Sequence, residues 1–235
     1  MQKRIHMPEI GEVILQKRKG ARSMRLTVGH DGALRVSMPS WSPYYMGEAF
    51  ARSKLDWIVA QQATRQQPLF TAGQRIGKAH RLQFVEETRQ TISSRVGMTS
   101  IVVRMPLGTM HESDAAQAAV RKAAVRALKQ EAAQLLPDRV HELAKRYGFN
   151  YRSVTIKRLK SRWGSCNSHQ EIALNCYLMQ LPWELIDYVI LHELTHTRIM
   201  AHGPSFWDEL SRYVVSLNDK RKAIKAHQPA LLPQL

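Results

Sequence analysis

The sequence predicts an α+β fold, with a small β-rich region containing one helix over residues 1–110 and a second domain over residues 111–235. Three observations carry this. Apolar and polar residues alternate in short runs through the first hundred positions, apolar residues recur every three or four positions between 113 and 148, and a further helical segment follows Pro182.

Taken in order, Val13-Ile14-Leu15, Met24-Arg25-Leu26-Thr27-Val28 and Leu34-Arg35-Val36-Ser37-Met38 read as three short antiparallel strands, with Gly20 and His30-Asp31-Gly32 as turns. Ser42-Pro43 starts a helical pattern through Phe50, Leu55, Trp57, Ile58 and Val59 that fades in the polar stretch 61–67, before Pro68. Strand-like runs follow at 75–85 and 100–105. From Ser113-Asp114 a long helix repeats Val120, Ala124, Ala127, Leu128, Leu135, Val140, Leu143 and Tyr147, and Gly148 provides its end. Pro137 has no amide N–H, so it must kink or divide this helix. Residues 151–159 alternate as a strand, and 171–175 can pair with the stretch 161–166 as a hairpin about 167–170. No internal repeat is visible.

The chain carries 35 Lys and Arg against 19 Asp and Glu, a net charge of +16. Such a field favours a polyanionic partner, so nucleic acid held through a basic surface joins the expected partners, although no nucleic-acid-binding signature accompanies the charge. No window approaches the ~18 apolar residues of a membrane span. The first residues, MQKRIHMPEIGEV, place Pro8, Glu9, Gly11 and Glu12 where an export signal needs its apolar stretch, which predicts a cytoplasmic protein without membrane contact. Cys166 and Cys176 form no CxxC pair and are expected as two buried thiols.

The chemistry concentrates in HELTHTRIMAH, residues 192–202. On a helix, His192 and His196 lie one turn apart on one face, so both rings can reach a single ion. Glu193, rotated by ~100°, borders the same site and suits a general base. Random placement of the chain's 10 histidines and its glutamates would yield about 0.02 HExxH patterns, so chance does not explain it. Catalytic zinc takes three protein ligands and keeps one position open. His202 is the third candidate, but on a continuing helix it would point ~240° away. The helix must therefore end, and Gly203-Pro204 supplies a break and a new start. By contrast His141-Glu142-Leu143-Ala144-Lys145 has Lys where a second histidine is needed and reads as an exposed helix face. Phe206 and Trp207 read as core, and Met200 as a gap filler.

These residues, with Arg162-Trp163-Gly164-Ser165-Cys166, Leu174-Asn175, Leu181-Pro182, Asp187-Tyr188-Val189-Ile190 and Phe206-Trp207, resemble the YgjP-like (DUF45) metal-dependent hydrolases, a group placed with the zincin-like metallopeptidases and similar in motif to the WLM and SprT-like proteases. The match is strong over residues 150–217. The resemblance implies a gluzincin-like catalytic domain, Zn²⁺ on His192, His196 and His202, and Glu193 as the catalytic residue.

The expected activity is that of a zinc metallopeptidase, cleaving peptide bonds of a protein or peptide with a zinc-bound water activated by Glu193. A nucleoside triphosphate (UTP) pyrophosphohydrolase on the same metal site is the alternative. A DNA-associated protease would unite peptide cleavage with the basic charge. Tyr177, Tyr188, Tyr213, His169 and Arg162 all have the chemistry to stabilise an oxyanion, and Asp208 or Glu209 could orient a ligand.

Overall fold

The computed structural model describes residues 2–8, 10–28, 33–56, 58 and 69–227. The turn expected at His30-Asp31-Gly32, and the helical positions Trp57, Val59 and 61–68, lie outside the described residues. The chain divides into two compact units, Met1–Gln67 and Pro68–Leu235.

Among the described residues the first unit is a four-stranded sheet with a helix over 44–52 packed on it. Strands β1 (Gln2–Met7), β2 (Gly11–Arg18), β3 (Arg25–Val28) and β4 (Leu34–Pro39) lie in the order β1-β2-β4-β3. The outer pairs are antiparallel, but β2 and β4 run parallel, Val13 beside Leu34 and Arg18 beside Pro39. The all-antiparallel arrangement expected from the alternation does not form. Instead the chain crosses from β2 to the far edge before β3 turns back into β4, which sets Val13, Leu15, Leu34, Val36 and Met38 on one buried face. Helix α1 (Tyr44–Arg52) packs on that face through Gly47 and Ala51. A Cβ at Gly47 would stand 3.0 Å from Met38 Sδ and 3.4 Å from Leu15 Cδ2, so glycine allows the close approach.

The second unit begins with the same plan. Strands β5 (Arg75–Ile76), β6 (His80–Glu87), β7 (Ser93–Val96) and β8 (Ser100–Pro106) take the order β5-β6-β8-β7, again with a parallel central pair and antiparallel outer pairs, and again a helix follows. This repeat of topology escapes the sequence because it preserves the burial pattern and not the residues. Strands β5–β8, grouped by the sequence pattern with residues 1–110, share a core with α2 (Asp114–Tyr147): Leu82, Ile101, Val103 and Met105 pack with Val120, Ala124 and Leu128.

Helix α2 runs unbroken through Pro137, which therefore does not divide it. Proline removes one N–H donor, but Leu136 and Val140 on either side are fully buried and hold the turn. Ser113 caps the start, accepting from the Ala116 amide, and Gly148 ends it at φ 68°. His141 and Glu142 face solvent as expected, Glu142 bridging Arg139 and Arg146.

A third sheet, β10-β11-β9, joins β9 (Ser153–Lys157) in parallel to β11 (Glu171–Asn175), which pairs with β10 (Gly164–Cys166) as the expected hairpin. Cys166 lies opposite Ile172, so the two cysteines are not apposed; both are free thiols, Cys176 buried and Cys166 only partly. A 3₁₀ turn over Cys176–Gln180 leads into α3 (Trp183–His196), α4 (Pro204–Ser211) and α5 (Leu217–Ala226). Arg139 ties α2 to α3, its Nε and Nη2 donating to Asp187 Oδ1 and Oδ2 at 2.7 and 2.5 Å. Among the described residues no helix is long and apolar enough to cross a membrane.

One buried carboxylate organises the start of this unit. Glu131 of α2, 2% exposed, accepts from the amides of Lys78, Ala79 and His80 at 2.6, 2.9 and 3.2 Å and meets His80 Nδ1 at 2.6 Å. At Gly77, with φ 67°, any Cβ would overlap that carboxylate. Removing it would strand three amides and an imidazole. We expect Glu131→Ala to lower the unfolding free energy by ~3–5 kcal/mol in urea titrations, with an unchanged m-value.

Candidate metal centre

Helix α3 is buried along most of its circumference: Leu185, Ile186, Val189, Ile190, Leu191 and Leu194 lie in the core. Its last two turns carry His192, Glu193 and His196, and there the helix stops. The Thr197 hydroxyl donates to the Leu194 carbonyl at 2.7 Å, and the chain then turns through Met200 to Gly203, the N-cap of α4, with Pro204 as the first residue of that helix. Arg198 fastens this reversal. Its guanidinium donates to Glu209 Oε1 at 2.6 Å, to the Tyr213 hydroxyl at 2.9 Å and to the Gly148 carbonyl at 2.6 Å, and it stacks over Phe149 at 4.0 Å.

The reversal returns His202 to the other two histidines. His202 Nε2 lies 3.0 Å from His192 Nε2 and 3.1 Å from His196 Nε2. His196 Nδ1 faces the Ile199 carbonyl at 3.1 Å; that oxygen only accepts, so Nδ1 holds the proton and Nε2 presents its lone pair to the cluster. Burial, and then the other two rings and Arg221, push the His192 pKa down to about 3, and burial also lowers that of His196, so these two rings stay neutral near pH 7. A proton on His202 Nε2 can serve only one of these two contacts. Their spacing is close to the ~3.3 Å edge of a tetrahedron whose centre lies 2.0–2.1 Å from each nitrogen, the length of a zinc–imidazole bond. The three residues fit a divalent cation in donor chemistry and in spacing.

The rings are held from behind. Phe206, fully buried, has its ring centre 4.6–4.9 Å from all three imidazoles. Trp207 stacks on His202 at 5.7 Å, donates from Nε1 to the His202 carbonyl at 3.1 Å, and is covered by Arg221 at 3.8 Å. Phe206 is core, as the sequence suggests, while Trp207 also clamps a site residue, a role that helical spacing does not reveal. Glu209 is not free to orient a ligand, being engaged by Arg198, Arg212 and Tyr213. The Ile199 carbonyl takes that role for His196.

Glu193 is 5% exposed and its Oε2 has no hydrogen-bond partner. Burial pushes its pKa up to about 8, against the opposing charge of Arg162. It presses on β10, where a Cβ added at Gly164 would stand 2.7 Å from both Cγ and Oε1 of Glu193. A cleft of about 270 Å³ opens over the cluster, lined by Arg162, Gly164, Ser165, Cys166 and Met200 with His192, Glu193, His196 and His202. Burial and Glu193 raise the Cys166 thiol to about 11, keeping it protonated. Of the five groups able to stabilise an oxyanion, Arg162 alone lines this cleft. Tyr213 is bound by Glu209 and Arg198, Tyr177 lies beneath Arg158, Tyr188 is buried beside His192, and His169 sits in the exposed β10–β11 turn.

Three imidazoles converging beside a buried, unpartnered carboxylate make a candidate metal centre. The chain belongs to the YgjP-like family: the model described as "YgjP-like, metallopeptidase domain" matches residues 22–227. This places it among the metal-dependent hydrolases. Among the solved structures that match, two are metallopeptidase zymogens, each matched over part of this chain. The metallopeptidase zymogen abylysin of Pyrococcus abyssi is 21% identical, with 39% of this chain and 93% of that one covered and a TM-score of 0.36. The metallopeptidase zymogen jannalysin of Methanocaldococcus jannaschii is 29% identical, with 38% and 93% covered and a TM-score of 0.35. No curated protein matches.

The cluster makes a prediction about metal content. Wild-type protein dialysed against zinc should retain about one equivalent by elemental analysis, and His202→Ala should lose affinity by at least ~100-fold, since catalytic zinc rests on three protein ligands. Equal retention by the variant would remove His202 from the site.

Proposed function

We propose that the protein is a zinc-dependent peptidase of the gluzincin type, with His192, His196 and His202 as ligands and Glu193 as general base. The observation that carries this reading is the orphaned Glu193 Oε2, buried in the cleft where the three imidazoles meet. A buried polar oxygen without a partner is rare, and one beside a metal donor set is accounted for by a water that it must deprotonate. The ion, when bound, supplies Lewis acidity to that water and to the carbonyl under attack.

The chain's own groups do the rest. Glu193, made basic by burial, takes the water's proton and returns it to the departing amine nitrogen, and the wall formed by Gly164 keeps the carboxylate in place. Arg162, at the cleft and acting electrostatically on Glu193, is positioned to offset negative charge on the carbonyl oxygen. Strand β10 is the edge of its sheet and lines the same cleft, so an extended protein or peptide segment could add as a further strand beside it.

The test is to incubate the zinc-loaded protein with an unstructured protein and, separately, with UTP, each with and without chelator. Cleavage of the polypeptide, lost with chelator, is expected; hydrolysis of UTP alone would overturn the peptidase reading in favour of phosphoanhydride chemistry. Cleavage seen only when DNA is added would make the protein a DNA-associated protease.

Two variants probe the base. Glu193→Gln should lower kcat by at least ~1000-fold while zinc content is unchanged. Gly164→Ala should push the carboxylate aside and lower kcat/KM by at least ~10-fold, again with zinc retained. A Gly164→Ala enzyme as active as wild type would show that this wall does not position the base.

A further inference from the structure

Strand β10 is an edge of its sheet, and its register shows what that edge offers. The Asn175 amide donates to the Trp163 carbonyl at 2.9 Å and the Asn167 amide to the Glu171 carbonyl at 3.2 Å, with Gly164 opposite Leu174 and Cys166 opposite Ile172. Bonded and non-bonded residue pairs alternate along an antiparallel ladder, so Gly164 and Cys166 turn their N–H and C=O groups away from β11. Those groups have no backbone partner among the described residues. Both residues line the cleft over the three histidines, as does Arg162, two positions before Gly164.

The two ends of this edge differ in charge. Where the chain passes from β9 to β10, on the far side of β11, the stretch 157–162 carries Lys157, Arg158, Lys160 and Arg162, all exposed. Asn175, fully buried at the end of β11, holds this passage: its Nδ2 donates to the Leu159 and Arg162 carbonyls, each at 2.9 Å, and its Oδ1 accepts from the Tyr177 amide at 3.2 Å. The backbone under the cations is thereby fixed. Arg158 lies over the Tyr177 ring and Arg162 acts on Glu193 through its charge, but no carboxylate among the described residues forms an ion pair with any of the four. At the other end of β10, positions 167–170 hold no Lys or Arg, and Arg152, whose amide donates to the Gln170 carbonyl, faces Glu171 at 3.9 Å.

We propose that this edge selects polypeptide segments carrying acidic residues two to four positions after the scissile bond. The inference rests on the peptidase reading above and names its substrate class. Glu193 presses on Gly164, which sets the reacting bond beside that residue. A segment added next to β10 lies ~4.8 Å from it, and antiparallel pairing, the commoner arrangement, brings its C-terminal part beside Arg162 and Lys160. Two residues of strand cover ~6.7 Å, so the substrate side chain facing Arg162 stands two positions after the one facing Gly164. A carboxylate there meets cations that no local carboxylate neutralises, and a Lys or Arg there is repelled. A nucleic acid would find the same charge but has no strand of amides and carbonyls to pair with Gly164 and Cys166.

The experiment uses the zinc-loaded full chain and an unstructured protein, with cleavage sites read by mass spectrometry. Around the fastest site, internally quenched peptides are made that differ only in Glu or Lys at the second to fourth residues after the scissile bond. At 50 mM KCl, kcat/KM for the Glu peptide should exceed that for the Lys peptide at least ~10-fold, and the ratio should fall at least ~3-fold at 300 mM. With the same residues moved before the bond, the ratio should stay within ~2-fold, since the cations stand at one end of β10. Lys160→Glu, an exposed change, should cut the Glu-to-Lys ratio at least ~5-fold, whereas Lys122→Glu on the exposed side of α2 should keep it within ~2-fold. Cleavage with a wild-type ratio near one, or a ratio indifferent to Lys160→Glu, overturns the proposal and leaves the peptidase reading standing. Binding is measured separately, by anisotropy of Glu193→Gln protein with labelled Gly-Ser dodecapeptides bearing three Glu or three Lys; the Glu form should bind at least ~5-fold tighter. That preference without cleavage of any substrate would overturn the peptidase reading and keep an acidic docking edge, while equal binding without cleavage would overturn both. Displacement of the Glu peptide by a single-stranded 20-mer oligonucleotide more readily than by polyglutamate of equal charge also overturns the proposal, in favour of a phosphate partner.

Discussion

The structure turns on a meeting of lone pairs. His202 Nε2 lies about 3 Å from both His192 Nε2 and His196 Nε2, and with the His196 tautomer fixed by a backbone carbonyl the three rings are suited to a shared cation. Such an arrangement repels itself unless the backbone imposes it. Here the imposition is mechanical: α3 is anchored in the core by its aliphatic side chains, and Arg198 nails the following turn to α4 and to the end of α2. Phe206 and Trp207 pack against the rings from behind.

The same logic of imposed proximity recurs at Glu193. A carboxylate pressed against a glycine α-carbon, in a space from which water is largely excluded, gains basicity from burial alone. Gly164 serves the site by having no side chain. The fold contains a second case, in which Gly77 leaves room for Glu131 to collect three backbone amides, but there every polar atom is satisfied and the result is a fixed structural joint. Two buried glutamates beside two glycines thus take opposite parts, and the difference lies in which has partners.

The recurrence of one four-stranded plan, each time followed by a helix, gives the chain two sheets, each with one face packed under its own helix. In the second unit the covering helix α2 also carries Arg139, which holds α3, so the sheet, the long helix and the site helix form one continuous core. In the first unit the net positive charge of the chain takes a specific form, because strand alternation sets one arginine from each strand on the face away from α1. Composition becomes a surface only through register.

Much of the site was legible in the amino-acid order, because its signals are local. The i, i+4 spacing of His192 and His196, the intervening Glu193 and the Gly203-Pro204 break are consequences of helix geometry and of residues that end or start helices, and these need no tertiary information. Strand alternation and the Ser113 and Gly148 caps are local in the same sense. What could not be read locally was every pairing between distant segments: β2 parallel to β4, the unbroken passage of α2 through Pro137 and the second copy of the sheet plan. The choice of Arg162 from five candidates, and the parts played by Ile199, Trp207 and Gly164, also waited on the fold. The reason is physical. Periodicity records which side of an element is buried, whereas partner, register and the closeness of two backbones are set by packing between segments remote in the chain, and the sequence carries no local mark of them.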